Sequence, residues 1–499
     1  MAGGSGPDRE DRLHEKLDLN IRRLRRETGD SPDIRRRSLR LTFPGAASIE
    51  AVILFTDGLA NSQAMLDSLL RKNVPTAQGV FGVAGMLDYL VESVIVEAGI
   101  DRIGTFSDLY DHLLSGDSIL LLEGSAVALA VGTRDPKARG VEEPTVQAVV
   151  RGPREGFTEV LNWNTAMIRR KIKNPRLWFE KKTIGQVTKT EVVLAYIEGL
   201  VSMDVLSELR RKLDKIDTDG ILESNFIEER IVDQKLVLFP TVFNSERPDV
   251  VAAQIMEGRV AILVDGTPFA LVVPALFTQF FQSSEDYYQG SIFSSLIRML
   301  RVMAFFLTLL TPSVYIAITT FHQELLPTTL LYNLASQREG VPFPAFVEAL
   351  MMEITFEIIR EASVRMPRTI GQSISIVGTL VIGQAAVQAG LVTAAMVIVV
   401  SITAISNFVM PAFNLGIAAR IVRFFLMGLA ATFGLFGLFL GLIVIVIRVC
   451  SLHSFGVPYM SPLAPLNLAE QKDTLFRVPL SWMRRRPKEI QKRNLVRQK

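Results

Sequence analysis

The segment FPAFVEALMMEITFEIIR, from Phe343 to Arg360, has the apolar period of a helix, yet it carries Glu348, Glu353 and Glu357, with Glu361 directly after it. Glu353, Glu357 and Glu361 stand four residues apart and therefore share one helix face. An ionised carboxylate at bilayer depth is costly, so these acids must face water, lie at the membrane interface, or pair with cations such as Arg360 and Arg365. Two readings stay open: an interfacial amphipathic helix paired with arginines, and an acidic vestibule for cations. A second pattern follows. Gln372, Ser375, Thr379 and Gly383 recur along one helical face, flanked by Ile374, Ile376, Val377, Leu380 and Val381. A polar stripe on an apolar helix either packs on a neighbouring helix or lines a water path. In the pore-lining reading, Ile376 or Val377 forms an apolar constriction that closes by dewetting.

Other chemistry is not encoded in any familiar form. There is no P-loop, no GxGxxG opening a helix, and no Ser-His-Asp or HExxH pattern, so no enzyme and no catalytic residue is expected. Cys450 is the single cysteine, which excludes a disulfide framework and a thiolate metal site. His14, His112, His322 and His453 lack metal-ligand spacing, so no metal and no cofactor is expected. The net charge of +3 is too small to imply a nucleic-acid partner. The basic residues are clustered at Arg22, Arg23, Arg25 and Arg26, at Arg35 to Arg37, and at Arg484 to Arg486. They are either solvated tails or groups attracted to anionic membrane lipids, at about 1 kcal/mol per residue.

The elements that must position these residues are segregated along the 499-residue chain. Mean hydropathy is +0.30 although 21% of residues are charged. Charged residues recur every few positions as far as Ser291, whereas long stretches between Phe293 and Cys450 carry none. The division expected is a basic N-terminal tail (1–37), α/β subdomains (38–152 and 158–284), a transmembrane domain with four to five helical segments (293–450), and a basic C-terminal tail (451–499). A crossing helix needs about 20 mostly apolar residues. The candidates are Leu300–Thr320 with a kink at Pro312, Thr369–Ala389, Leu391–Met410, and Phe424–Ile447 with Gly434, Gly437 and Gly441. The N-terminus lacks the apolar core of a signal peptide, which puts the soluble half in the cytoplasm. The positive-inside tendency draws Arg298, Arg301, Arg420, Arg423 and the basic tail to one side. A single last span cannot satisfy that. Four spans with both termini inside leave Arg360, Arg365, Arg420 and Arg423 on the wrong side, or buried against Glu partners.

The soluble half is duplicated. Ala51–Lys72 (AVILFTDGLANSQAMLDSLLRK) matches Val192–Leu213 (VVLAYIEGLVSMDVLSELRRKL), each a strand, an acid-Gly turn and a helix. Asp111–Gly132 matches Ala252–Pro274 as helix end, strand, hairpin turn and strand. Gly58, Gly116 and Gly124 correspond to Gly199, Gly258 and Gly266 at offsets of 141, 142 and 142 residues. Such register predicts one α/β unit used twice, with mixed sheets, and Gly at turns needing positive φ. The acids of Glu123-Gly124 and Asp265-Gly266 are turn residues in this reading, not catalytic carboxylates. The fold expected is thus a tandem-duplicated α/β soluble domain followed by an all-α multi-pass transmembrane bundle.

Several long segments resemble the A subunit of the nutrient germinant receptors of spore-forming bacteria (the GerA type). They are GRVAILVDGTPFALVVPALF, FQSSEDYY, FHQELLPTTLL, REGVPFPAFVEALMMEITFEIIREASVRMP, IGQSISIVGTLVIGQAAVQAGLV and SFGVPYMSP, with LDLNIRRLRRETGDSPDIRRR and FTDGL near the N-terminus. The basic extension after Leu466 departs from the family. The resemblance implies a role in germination at the spore inner membrane, as a homo-oligomeric nutrient-gated cation channel. It also implies a transporter-like, nutrient-binding B subunit and a lipoprotein C subunit as partners. Two other readings are a non-conducting signalling scaffold and a secondary transporter. The repeat lies in the soluble half, not in the membrane half, which counts against the transporter.

Overall fold

A computed structural model describes residues 11–41, 48–61, 66, 69, 82–95, 99–135, 144, 147, 149–234, 237–365, 383–467, 470–488, 490, 496 and 497. The chain divides into two compact units. One comprises Met1–Val232, Val242–Pro274 and Arg484–Lys499, and the other Asp233–Thr241 and Ala275–Met483.

In the first unit, α1 (Leu17–Thr28), β1 (Ile34–Leu41), β2 (Ile49–Thr56), α2 (Gly82–Tyr89), β3 (Ile100–Ile103), α3 (Phe106–Leu113), β4 (Ser118–Leu122) and β5 (Ala128–Val131) form the first repeat. The second contains α4 (Leu161–Lys171), β6 (Leu177–Ile184), β7 (Thr190–Ile197), α5 (Met203–Asp214), α6 (Ser224–Ile231), β8 (Phe243–Ser245), α7 (Pro248–Met256), β9 (Val260–Val264) and β10 (Ala270–Val273). The sheets have matching orders, β1-β2-β4-β5-β3 and β6-β7-β9-β10-β8. Side chains alternate across β2. Val52 and Leu54 join a core with Leu17, Leu24, Phe106 and Leu109 of α1 and α3. Ala51 and Ile53 join the opposite core with Met86 and Leu87 of α2. Both faces of this sheet are therefore buried.

Two expectations need correction. The sheets are not mixed, because every pairing among the described strands is antiparallel. Helices α3 and α7 do connect strands that run the same way, as in βαβ units, but β5 or β10 lies between those strands. The first repeat also starts well before residue 38. Helix α1 and the first half of strand β1 fall in the stretch assigned to a basic tail, and β1 pairs with β2 along its whole length. Arg35, Arg36 and Arg37 are all exposed on this strand at the sheet's edge, so a charge run concealed an edge strand.

All six glycines that carry the duplication adopt positive φ: 77° and 80° at Gly58 and Gly199, 101° and 94° at Gly116 and Gly258, 83° and 88° at Gly124 and Gly266. The acids beside the last pair do the same work in each repeat. Glu123 Oε2 accepts the Leu17 N–H at 2.8 Å, and Asp265 Oδ1 accepts the Leu161 N–H at 3.2 Å. Each satisfies a free donor at the start of the repeat's first helix. The repeats are clamped together by Arg169, which is wholly buried. Its Nε donates to Asp33 Oδ2 at 2.8 Å and its Nη2 to Asp33 Oδ1 at 3.1 Å. Trp178 Nε1 donates to the Glu27 carbonyl at 3.1 Å. Part of the basic C-terminal tail packs at the end of α7, where Arg497 pairs with Glu257 at 2.7 Å.

The second unit is helical: α8 (Ser291–Phe321), α9 (Thr328–Glu339), α10 (Ala345–Arg365), α11 (Gly383–Gln388), α12 (Ala394–Val409) and α13 (Phe413–Cys450), then the short pair β11 (His453–Ser454) and β12 (Val457–Pro458). Among the described residues, two helices, Ser291–Phe321 and Phe413–Cys450, are long and apolar enough to cross a membrane, the second counted end to end. Helix α13 is broken at Gly434, where φ is 62° and ψ is −143°. Its two arms fold against each other. A Cβ on Gly441 would lie 2.7 Å from Leu429 Cδ1 and 2.8 Å from Leu426 Cδ2, and one on Gly437 would collide with the Leu429 carbonyl oxygen. In a straight helix Leu426 and Gly441 would be about 22 Å apart.

Candidate functional site on the acidic helix

Helix α10 follows Pro344, whose carbonyl accepts the Val347 and Glu348 N–H groups at 2.9 and 3.1 Å. The first acid, Glu348, is buried. Its Oε2 accepts Thr393 N–H at 3.0 Å and lies 3.1 Å from Thr393 Oγ1. Thr393 in turn accepts the Met396 N–H at 3.2 Å as the N-cap of α12. Glu348 therefore ties the start of α10 to the start of α12.

The next three acids form a ladder of ion pairs. Glu353 meets Arg423 at 2.6 Å, with both side chains about 1% exposed. Glu357 lies 2.7 Å from Arg360, 3.1 Å from Arg420 and 3.9 Å from Arg423. Glu361 pairs with Arg365 at 2.7 Å near the surface. The cations of the buried rungs come from α13, where Arg420 and Arg423 stand i, i+3 on the face turned to α10. An open cavity of about 680 Å³ borders the ladder, lined by Ile354, Glu357, Ile358, Arg360, Arg365 and Phe424. Among the described residues, no three of His, Cys, Asp and Glu gather as metal ligands.

Of the polar stripe, Gln372, Ser375, Ile376, Val377 and Thr379 lie outside the described residues. Gly383 opens α11 and is buried. A Cβ there would sit 3.6 Å from Val397 Cγ1, so this member faces α12.

A second charged cluster escaped the sequence reading. Arg298 is fully buried and bridges Asp286 at 3.2 Å and Asp473 at 3.0 Å. Arg301 lies 2.7 Å from Asp286, and Tyr287 Oη donates to Asp473 Oδ2 at 2.7 Å. Burial first, and then the Asp473 carboxylate, hold the Tyr287 phenol well above its usual range. The signal was present as two arginines inside an otherwise apolar helix, but their partner Asp473 is far along the chain.

The Bacillus/Clostridium GerA spore germination protein family matches residues 22–489. The chain belongs to that family. Among its GerA-family relatives, spore germination protein KA of Bacillus subtilis is 46% identical, over 97% of this chain and 88% of that one. The membrane protein YfkQ of B. subtilis is 44% identical, over 87% of this chain and 84% of its own length. Spore germination protein GerLA of Bacillus cereus is 38% identical, over 94% and 95%. The crystallised N-terminal domain of the A subunit of the Bacillus megaterium spore germinant receptor GerK3 is 37% identical, covers 53% of this chain and 97% of that domain, and has a TM-score of 0.43. The matched family and these relatives are spore germination proteins.

Proposed function

We propose that this GerA-family chain starts germination as part of an oligomeric, nutrient-gated cation channel. It would span the spore inner membrane several times, with the N-terminal domain on the cytoplasmic, spore-core side. Its partners in this reading are further copies of itself, a transporter-like B subunit that holds the nutrient, a lipoprotein C subunit, and the surrounding lipid. One observation supports function in the helical unit rather than simple anchoring: Glu353 is buried in its interior against Arg423, with Glu357 half-buried beside it against Arg420. Buried ionisable groups are costly in a membrane and are kept where they do a task. The acids Glu348, Glu353, Glu357 and Glu361 form the mouth of the path in this proposal, and Gln372, Ser375, Ile376, Val377, Thr379 and Gly383 its lining.

The test is cation release from spores exposed to nutrient. Val377→Ala should alter the release rate several-fold by widening the constriction, and Thr379→Leu should lower it by filling the path. Unchanged release in both variants rejects the pore assignment. A non-conducting scaffold is the second reading. It is favoured by the arginine pairing of the ladder and by Gly383 packing towards Val397. Absence of cation flux through the complete receptor in liposomes would decide for the scaffold.

A further inference from the structure

Phe424 to Ile447 carries no charged side chain, with Arg420 and Arg423 before it and Arg448 after it. Run straight, it would cross a membrane once and separate these cations, against the tendency of Lys and Arg to collect on one side. Three observations within the helical unit point elsewhere. First, the chain reverses at Gly434. Its left-handed backbone seats against α8, where an added Cβ would meet His322 Cε1 at 2.8 Å and Phe321 Cβ at 3.1 Å. Contacts of Gly437 with Leu429, and of Gly441 with Leu426, are symmetric about that turn. At 1.5 Å per residue, Arg423 lies about 16 Å and Arg448 about 21 Å below the apex, so both arms return their cations to a similar level.

Second, the apex and the tail mark opposite ends of α8. The far end of α8, at Phe321 and His322, holds the apex. The near end holds the segment that follows the hairpin: Arg298 bridges Asp473, and Ser295 Oγ donates to the Arg477 carbonyl at 3.1 Å. After Arg301, α8 carries no charged residue as far as Phe321, a length of about 30 Å and the thickness of a hydrocarbon core. Third, α12 supplies the way back. Thr393 Oγ1 at its start lies 3.5 Å from Tyr315 Oη in the far half of α8, whereas a Cβ added to Gly416, at the mouth of the hairpin, would lie 3.2 Å from Oδ1 of Asn407 at its end.

We infer that Phe413–Cys450 enters and leaves the membrane on one side, as a helical hairpin whose apex rests on the far end of α8. The start of α8, the cations Arg420, Arg423 and Arg448, and the segment from Ser451 onward then share one face. The chain between His322 and Phe413 crosses an odd number of times, with α12 as the return crossing. The positive-inside conflict disappears because the last apolar stretch is not a single span.

The native Cys450 is the only cysteine and is exposed, so the unaltered full-length protein can be labelled in oriented vesicles with a membrane-impermeant maleimide. Ile292→Cys and Phe321→Cys, each in a Cys450→Ser background, mark the two ends of α8. Cys450 should label from the same side as Ile292→Cys and from the side opposite Phe321→Cys. Labelling from the Phe321→Cys side overturns the inference. A spin-label distance between native Cys450 and Ile417→Cys gives a second reading. A hairpin holds these positions within about 20 Å, allowing about 10 Å between packed helices and the label arms. A straight helix separates them by about 50 Å, which would equally overturn it.

Discussion

At the scale of single residues, buried charge is handled by pairing, and the pairs are where substitution should be most damaging. Arg169 has no solvent contact and spends its guanidinium on Asp33 and the Asn174 carbonyl. Arg169→Ala strands a buried carboxylate and should cost about 3–5 kcal/mol in denaturant unfolding of the α/β unit. Arg169→Lys should recover only part of this, because an ammonium cannot donate in the same fork. A titration makes a second test. Burial, and then the charges of Glu223 and Glu229, push the Glu228 carboxyl from 4.5 up to about 7. A raised carboxyl is favoured in its protonated form by the folded state. Its contribution is complete below about pH 4.5 and is lost as pH rises through 7. Glu228→Gln should therefore match the parent near pH 4 and exceed it by on the order of 1–3 kcal/mol at pH 8, as read from denaturant midpoints across that range.

At the scale of elements, the duplication lets one prediction be made twice. Glu123 caps α1 and Asp265 caps α4 from equivalent hairpin turns. Glu123→Ala and Asp265→Ala should each lower stability by about 1 kcal/mol, and the two losses should add, since the sites belong to different repeats. Helix α13 behaves differently. Gly434 needs a left-handed backbone and leaves no room beside His322 and Phe321. Gly434→Ala should strain the hairpin by about 1–3 kcal/mol and lower the thermal midpoint of the detergent-solubilised protein. Gly428→Ala is a control in the same helix, because nothing lies within 4 Å of its added Cβ.

At the scale of the whole molecule, the two units carry different kinds of information in their sequences. In the α/β unit, six glycines and two acid-Gly pairs recurred at a fixed offset, and each kept its expected turn geometry, because positive φ is a local demand that only a few residue types meet. Strand direction was not legible. A helix between two strands suggested parallel neighbours, and only the insertion of β5 or β10 between them made every pairing antiparallel. In the helical unit, apolarity marked α8, α12 and α13, but it gave no sign of α9 and placed the start of α13 at Phe424 rather than Phe413. It could not distinguish one long helix from two arms folded at Gly434, since both bury the same residues against helix or lipid.

What the sequence determined by itself was therefore what depends on near neighbours along the chain: the repeat, the turns, the amphipathic period of α10, and membership of a spore germination family carried by long continuous segments. What only the tertiary structure decided was which distant groups meet. Glu353 finds Arg423, Arg298 finds Asp473, and Arg169 finds Asp33 across separations that no local pattern records. The physical reason is that a buried charge demands a partner but does not specify its position in the chain. The packing of helices and sheets supplies that position.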